Sequence, residues 1–389
     1  MGSCGTVVVL GVMNGFHADL RDKILGANAH VVLLHASGSL ADAQQVIART
    51  QKLDGVAGAS AFVLSEGMVS ADKQLSGAVI KGIDVDRVDQ VNTLRSDLVV
   101  GSLAGLQRRL PASSSDQQQQ DAPIALPGIA VGQEMAQQMD LDVGDTVQLV
   151  SPLGEELGPA GPIPKAAAFR VAAIFYSGYF EYDAKFAYIG LQEAQRFFGL
   201  GHAVTGIEYA THNPETANTT AIALQQTLGG YPYHTRDWRQ MSHSLFSALQ
   251  LEKLVMALIL IALVAMASLL ILVVLVMVAM QRRMQIAILK SVGASDVSIA
   301  KVFVTYGLAI SSAGALAGVA AGATICRVLS WAPVGLDPQV YYISQVPIQL
   351  HAIEVIVVAV AAVILGFLAT VPAALFAAGQ LPVEGLRDG

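Results

Sequence analysis

Residues 254–301 read LVMALILIALVAMASLLILVVLVMVAMQRRMQIAILKSVGASDVSIAK, and the fold of the whole chain follows from this stretch. Its first part, 254–281, is 28 residues without a charge. A bilayer core of about 30 Å is crossed by about 20 apolar residues rising about 1.5 Å each, so this segment is long enough to span. It ends at Gln281-Arg282-Arg283 and is followed by the short amphipathic run Met284-Gln285-Ile286-Ala287-Ile288-Leu289-Lys290. Ser291-Val292-Gly293-Ala294-Ser295-Asp296 then reads as a helix stop, and a second apolar segment begins at Val302. The elbow between the two, 282–301, carries the cations Arg282, Arg283, Lys290 and Lys301 against one anion, Asp296. Cationic loops between spans stay on the cytoplasmic side, which places the elbow inside the cell and the large segment before 254 outside.

Composition agrees with this division. Mean hydropathy is +0.54 and only 14% of residues are charged, yet sixteen of the 23 Lys and Arg precede residue 250. A water-soluble part, 14–250, is therefore joined to a membrane part, and it is long enough to bury a core of its own. A net charge of −7 without a basic stripe excludes nucleic acid as a partner. Cys4 and Cys326, at the N-terminus and inside an apolar span, are poorly placed to pair.

The N-terminal apolar run, Thr6-Val7-Val8-Val9-Leu10-Gly11-Val12-Met13, is too short to cross a bilayer and lacks the flanks of a secretory signal. Residues 1–13 are expected to be the remnant of a first transmembrane helix whose start is missing. Met1-Gly2-Ser3-Cys4-Gly5-Thr6 also fits the N-myristoylation pattern, a reading the charge-based orientation opposes. From Asn14 a short amphipathic helix is expected, then a strand at 30–34 and a helix over 39–52. Short strands follow at 62–64, 67–70 and 78–83. The stretch 108–127, with Ser113-Ser114-Ser115 and Gln117 to Gln120, reads as an exposed flexible loop. A second unit pairs helices over 131–139, 192–198 and 215–228 with strands over 146–150, 169–175, 186–189 and 206–209. The mixture predicts an α+β outer domain.

From Asp237 the apolar residues Trp238, Met241, Leu245, Phe246 and Leu249 recur at helical steps and run into the first span with no Gly or Pro between. One long lever helix is expected, its membrane part 251–281. Next come a span at 302–326 with Gly314, Gly318 and Gly322 on one face for close packing, an external loop at 327–354, a span at 355–378 containing Pro372, and an internal tail, 379–389. No Asp, Glu, Lys, Arg or His lies within 254–281, 302–326 or 355–378, which argues against an ion relay through them. The sequence has no Gly-x-x-x-x-Gly-Lys-[Ser/Thr] loop, no His-Glu-x-x-His, no Cys-x-x-Cys and no Gly-x-Ser-x-Gly. No catalytic residue, metal site or cofactor is assigned to the chain, and the energy for any work comes from a partner.

The run Gln285 to Ala294 resembles the coupling helix of permeases in the macrolide-exporter superfamily of ABC transporters, most of all in its lipoprotein-releasing (Lol) branch. Val12-Met13-Asn14-Gly15-Phe16 with Leu20 to Gly26, Val143-Gly144-Asp145-Thr146-Val147, Tyr179-Phe180-Glu181-Tyr182-Asp183 and Leu381-Pro382-Val383-Glu384-Gly385-Leu386-Arg387 resemble further segments of that branch, in the right order. The resemblance implies an α-helical membrane domain of four helices, the first truncated here, with a periplasmic α+β domain inserted between helices one and two. It implies an inner-membrane complex of two permeases, this chain with a copy or a paralogue, on a dimeric cytoplasmic ATPase that binds the ATP and Mg. The elbow's apolar face (Ile286, Ile288, Leu289) would enter a groove of that ATPase, with Gln285, Ala287, Lys290, Gly293 and Ala294 completing the coupling segment. An interfacial helix lying on lipid is the alternative. Family members commonly carry Glu where this chain has Gln285.

The branch takes lipoproteins from the outer leaflet and hands them to a periplasmic carrier. The segment matching its carrier-capturing hairpin is 151–166, where Pro159, Gly161, Pro162, Ile163 and Pro164 make a stiff loop with Ile163 at an apolar tip. Acyl chains of the cargo would rest against Leu249, Val255, Met256 and Ile259. Two other functions are compatible with the same architecture: export of peptides or macrolides, and mechanical activation of a cell-wall hydrolase.

Overall fold

The first helix, α1 (Gly2–Ala27), runs unbroken through the point at which the sequence suggests a change of element. The segment expected as a separate amphipathic helix from Asn14 is its continuation. The computed structural model describes residues 2–71, 74–108, 125–152, 157–158, 161–162, 164–331 and 347–379. They fall into two units: an outer one, Leu20–His243, and a membrane one made of Met1–Asp19 and everything described from Ser244 onward.

The outer unit is built on a ten-stranded mixed sheet. In chain order its elements are β1 (Val31–His35), α2 (Ala43–Thr50), β2 (Val56–Ala71), β3 (Gln74–Ile83), β4 (Leu98–Gly101), β5 (Gly128–Gly132), α3 (Gln133–Gln138), β6 (Thr146–Ser151), β7 (Leu157–Gly158), β8 (Gly161–Pro162), β9 (Lys165–Phe175), α4 (Phe180–Lys185), β10 (Phe186–Gly190), α5 (Leu191–Phe197), β11 (Gly206–Thr211), α6 (Ala217–Thr227) and β12 (Tyr233–Asp237). The strand order is β12-β1-β11-β2-β3-β10-β5-β9-β4, with β6 joining β2 to β9. The pairs β3–β10 and β5–β9 are parallel and the others antiparallel.

Three sequence expectations change here. The strands expected at 62–64 and 67–70 are one strand, β2, because Gly67 does not break it. A Cβ there would sit 3.0 Å from the Val150 carbonyl oxygen of β6, so glycine is what lets β6 approach. Val131 belongs to β5 and not to a helix, since Ile129, Ala130 and Val131 are fully buried between β9 and β10. Helix α3 starts only after Gly132, where a Cβ would meet the Asp183 carbonyl oxygen at 2.0 Å. The polar strand β12, an alternation of half-buried and exposed residues, has no hydrophobic signature.

Tyr188, Tyr209, Phe169, Phe175, Ile80 and Ile129 are among the largest buried side chains. Amid them lies an ion pair, Lys81 Nζ to Glu208 Oε1 at 2.6 Å, with both side chains buried and the ammonium 5.7 Å from the Phe62 ring centre. Burial alone pushes the Lys81 pKa down, but the Glu208 carboxylate, Tyr182 and the hydrogen bond together outweigh it and the net shift is upward. Asp183 accepts from Ser177 N–H (2.8 Å), Ser177 Oγ–H (2.7 Å) and Gly178 N–H (3.2 Å), which fixes the aromatic turn before α4.

The lever expected from Asp237 is two helices. Asp237 caps α7 (Trp238–Met241), its Oδ1 accepting from Gln240 N–H at 2.8 Å. Buried Trp238 donates from Nε1 to Pro214 O at 2.8 Å, so this turn belongs to the outer unit. Ser242 (φ −105, ψ 32) leaves the helical region, and α8 (His243–Gln281) begins after it.

In the membrane unit α8 is followed by α9 (Arg283–Ser291), α10 (Asp296–Trp331) and α11 (Ala352–Ala378). Three of the described helices are long and apolar enough to cross a membrane: Phe246–Gln281, Asp296–Trp331 and Ala352–Ala378. They pack through small residues. A Cβ on Gly307 of α10 would lie 2.1 Å from Thr370 Cγ2 of α11, and one on Gly366 would lie 2.3 Å from Ser311 Oγ. The small residues 307/311 and 366/370 thus interlock, each pair four apart on its helix. On the α1 side, Gly318 meets Ser3 and Gly322 meets Val7, whereas a Cβ on Gly314 meets nothing within 4 Å.

Candidate coupling elbow and lipid-facing helix

The elbow is built by two local stops. Arg282 (φ −98, ψ 11) interrupts the helix between α8 and α9, and its Nη1 donates to Gln285 Oε1 at 3.1 Å. At the far end Gly293 takes φ +109, with its N–H bonded to Lys290 O (3.0 Å) and the Ala294 N–H to Leu289 O (3.0 Å). This crossed pair is the glycine C-cap in which the chain turns back on itself, and the positive φ is the reason for glycine. Ser295 then caps α10, its Oγ accepting from Ser298 N–H at 3.3 Å, with Asp296 in the favourable first turn.

The apolar residues of α9 divide into two sets. Ile286, 5% exposed, packs with Ala279 of α8, Ile299 and Phe303 of α10, and Ala374 and Ala377 of α11, and its neighbour Ala287 is buried too. Ile288 (48% exposed), Leu289 (57%) and Val292 (84%) face outward, as does Met284. Ile286 therefore anchors the elbow to the bundle, and it cannot enter a partner's groove without leaving that core. Lys290 adds a polar anchor. Its Nζ pairs with Asp296 Oδ1 at 2.7 Å and donates to Ala378 O, satisfying a carbonyl at the negative end of α11. The sequence hints at this only through a Lys and an Asp flanking a glycine stop. The result is a cationic elbow bolted to three helices and presenting Met284, Ile288, Leu289 and Val292, beside exposed Gln285.

Val255 and Ile259 are exposed on α8, and Leu249 and Met256 are half-buried. At about 100° per residue all four lie within an arc of about 120°, one apolar side of the helix. Of the hairpin residues, Pro159 and Ile163 lie outside the described residues. Gly161 and Pro162 form β8, paired antiparallel with β7 at the end of the β6–β9 ribbon, and Pro164 is exposed. Among the described residues no group of three or more His, Cys, Asp and Glu is placed to hold a metal.

Residues 255–382, from α8 through the elbow and α11, match the family model FtsX-like permease C-terminal. The lipoprotein-releasing system transmembrane protein LolC of Xylella fastidiosa (strain 9a5c) is 30% identical over 396 residues, covering 100% of this chain and 91% of that one. The chain belongs to the LolC/LolE family. The LolC protein of Neisseria meningitidis serogroup B is 26% identical over 404 residues, with 100% and 91% covered. Among solved structures, the periplasmic region of MacB from Actinobacillus actinomycetemcomitans aligns at 12% identity and a TM-score of 0.34, over 57% of this chain and 94% of that one. As a LolC/LolE-family chain it is a multi-pass membrane protein with a large α+β domain between its first and second helices.

Proposed function

We propose that this chain is the permease subunit of an inner-membrane ABC-type complex that extracts lipoproteins from the outer leaflet and passes them to a soluble periplasmic carrier. The full-length match to LolC carries the reading, and the geometry of the elbow supports it. A separate cytoplasmic ATPase dimer binds ATP and Mg, and its groove receives Ile288, Leu289 and Val292, the residues α9 leaves outside its own core. Ile286 and Lys290 transmit the push, because they fix α9 to the ends of α8, α10 and α11. A second permease, copy or paralogue, closes a lipid-lined cavity whose wall includes Leu249, Val255, Met256 and Ile259. The hairpin bearing Pro159, Gly161, Pro162, Ile163 and Pro164 receives the carrier. Each acyl methylene removed from lipid into water costs about 0.8 kcal/mol, so a lipoprotein anchor leaves the bilayer only with an energy source and an acceptor.

The test is reconstitution of the permease with its ATPase in proteoliposomes holding a triacylated lipoprotein. ATP-dependent appearance of the lipoprotein on a soluble carrier is expected. ATP hydrolysis stimulated by the permease without any transfer would overturn the reading.

A further inference from the structure

The chain passes from the membrane unit to the outer unit within α1, after Asp19, and back at the start of α8, after His243. In the outer unit these two stalks are rooted side by side. Strand β1 follows α1 and β12 precedes α7, and they pair antiparallel from Val31↔Asp237 to His35↔Tyr233. Glu215 stands in the turn Pro214–Thr216, directly after β11, the strand on the other side of β1. One of its carboxylate oxygens accepts from Arg21 of α1 (Nη1 to Oε1, 3.2 Å) and the other from Arg239 of α7. The turn itself is fixed independently: the Glu215 N–H donates to Asn213 Oδ1 at 3.0 Å, and Pro214 O accepts from buried Trp238.

Half-exposed ion pairs of this kind add little to stability. What sets this one apart is geometry: one carboxylate, on a turn whose backbone is fixed, reaches α1 through one oxygen and α7, the turn that leads into α8, through the other. We infer that Glu215 is a positioning residue that holds the two stalks at one separation. Displacement of α1, or of α8 acting through α7, then reaches the β12–β1–β11 edge with the two roots held together. This rests on the reading of the chain as an ATP-driven lipoprotein-releasing permease, and gives that reading its mechanical link.

Arg21 also pairs with Asp22 Oδ1 at 3.3 Å, so Asp22 is left in place. The experiment uses the full permease with its ATPase, nitroxides on cysteines replacing Leu25 and Gln240, and the native cysteines substituted. In E215R three guanidinium groups face one another, and the 25–240 distance distribution is expected to broaden. Lipoprotein released per ATP should fall by about fivefold or more, the low end of ordinary coupling between sites. E215Q, which keeps one acceptor oxygen, should lie between. The triple variant E215R/R21E/R239E re-forms both pairs with inverted sign and should recover the narrow distribution and the release ratio. An unchanged distribution in E215R overturns the inference, and so does a triple variant no better than E215R. If the wild-type complex hydrolyses ATP and transfers nothing, the functional reading falls instead, and the distance distribution judges the clamp alone.

Discussion

The outer unit and the membrane unit are held together by opposite means. The outer unit buries its largest side chains, Tyr188, Tyr209, Phe169 and Phe175, and even an ion pair, Lys81–Glu208, within its sheet. The membrane unit makes its closest contacts through Gly307, Ser311, Gly318, Gly322, Gly366 and Thr370, and turns residues such as Leu258, Ile261, Leu269 and Val273 outward. In water, apolar area removed from solvent drives packing; between helices in lipid that drive is gone, and close backbone approach replaces it. An exposed Leu on α8 is therefore ordinary, whereas exposed Ile288 and Leu289 on the cationic elbow are the residues proposed to meet the ATPase.

The largest effect should come from breaking the outer unit's rule. Lys81→Met leaves the Glu208 carboxylate buried without its partner, which costs about 3–5 kcal/mol. Lys81→Met with Glu208→Leu removes both charges and should recover most of the loss in denaturant unfolding. A double variant as unstable as the single one would mean that the ion pair itself, and not its unpaired half, governs the core.

Much of the membrane unit was legible because its signals are local. The uncharged run 254–281, the paired arginines and Gly293 each announce a span, a turn and a cap without reference to any neighbour. The orientation of Ile286 was not legible. In a nine-residue helix with apolar residues at 284, 286, 287, 288 and 289, the choice of inward face is made by Ala279, Phe303 and Ala374, which arrive from other helices. The outer unit shows the same limit at longer range. Several apolar strands were recognisable, but β5 reads as the start of a helix and β4 was not legible. The polar β12 (Tyr-His-Thr-Arg-Asp) carries no alternation of apolar residues, because its place at the sheet edge is set by the backbone of β1. Without β12 the side-by-side rooting of the two stalks is invisible, and so is the reach of Glu215.

A smaller effect tests the bundle's rule. Gly307→Leu forces a side chain into the space occupied by Thr370 and should cost about 1–3 kcal/mol of bundle stability. Gly314→Leu, where nothing lies within 4 Å, should leave stability within about 0.5 kcal/mol. Equal losses in detergent unfolding would refute small-residue packing as the difference between the two glycines. At the elbow, stability and coupling should separate. Ile288→Asp and Leu289→Asp should abolish co-purification of the ATPase while leaving unfolding within about 0.5 kcal/mol of wild type. Ile286→Asp, with a carboxylate driven into an apolar cluster, should lower stability first.

The smallest effect is one of pH, and in the outer unit it centres on His30. His30 sits at the stalk root: its N–H donates to Tyr209 O (3.1 Å) and its carbonyl accepts from Trp238 N–H (3.0 Å). Its Nδ1 accepts from Thr211 N–H at 2.9 Å and lies 3.0 Å from Thr211 Oγ1. Burial lowers its pKa from the usual value. The folded pKa thus lies below that of the unfolded chain, about 6.5. The contribution of His30 to stability is complete above about 6.5 and is lost as pH falls through that value toward the folded pKa. Wild-type protein should melt at a lower temperature at pH 5.5 than at pH 7.5. His30→Asn places an amide oxygen where Nδ1 accepts the Thr211 N–H, and should flatten that dependence. Parallel pH profiles for the two proteins would remove His30 from the account.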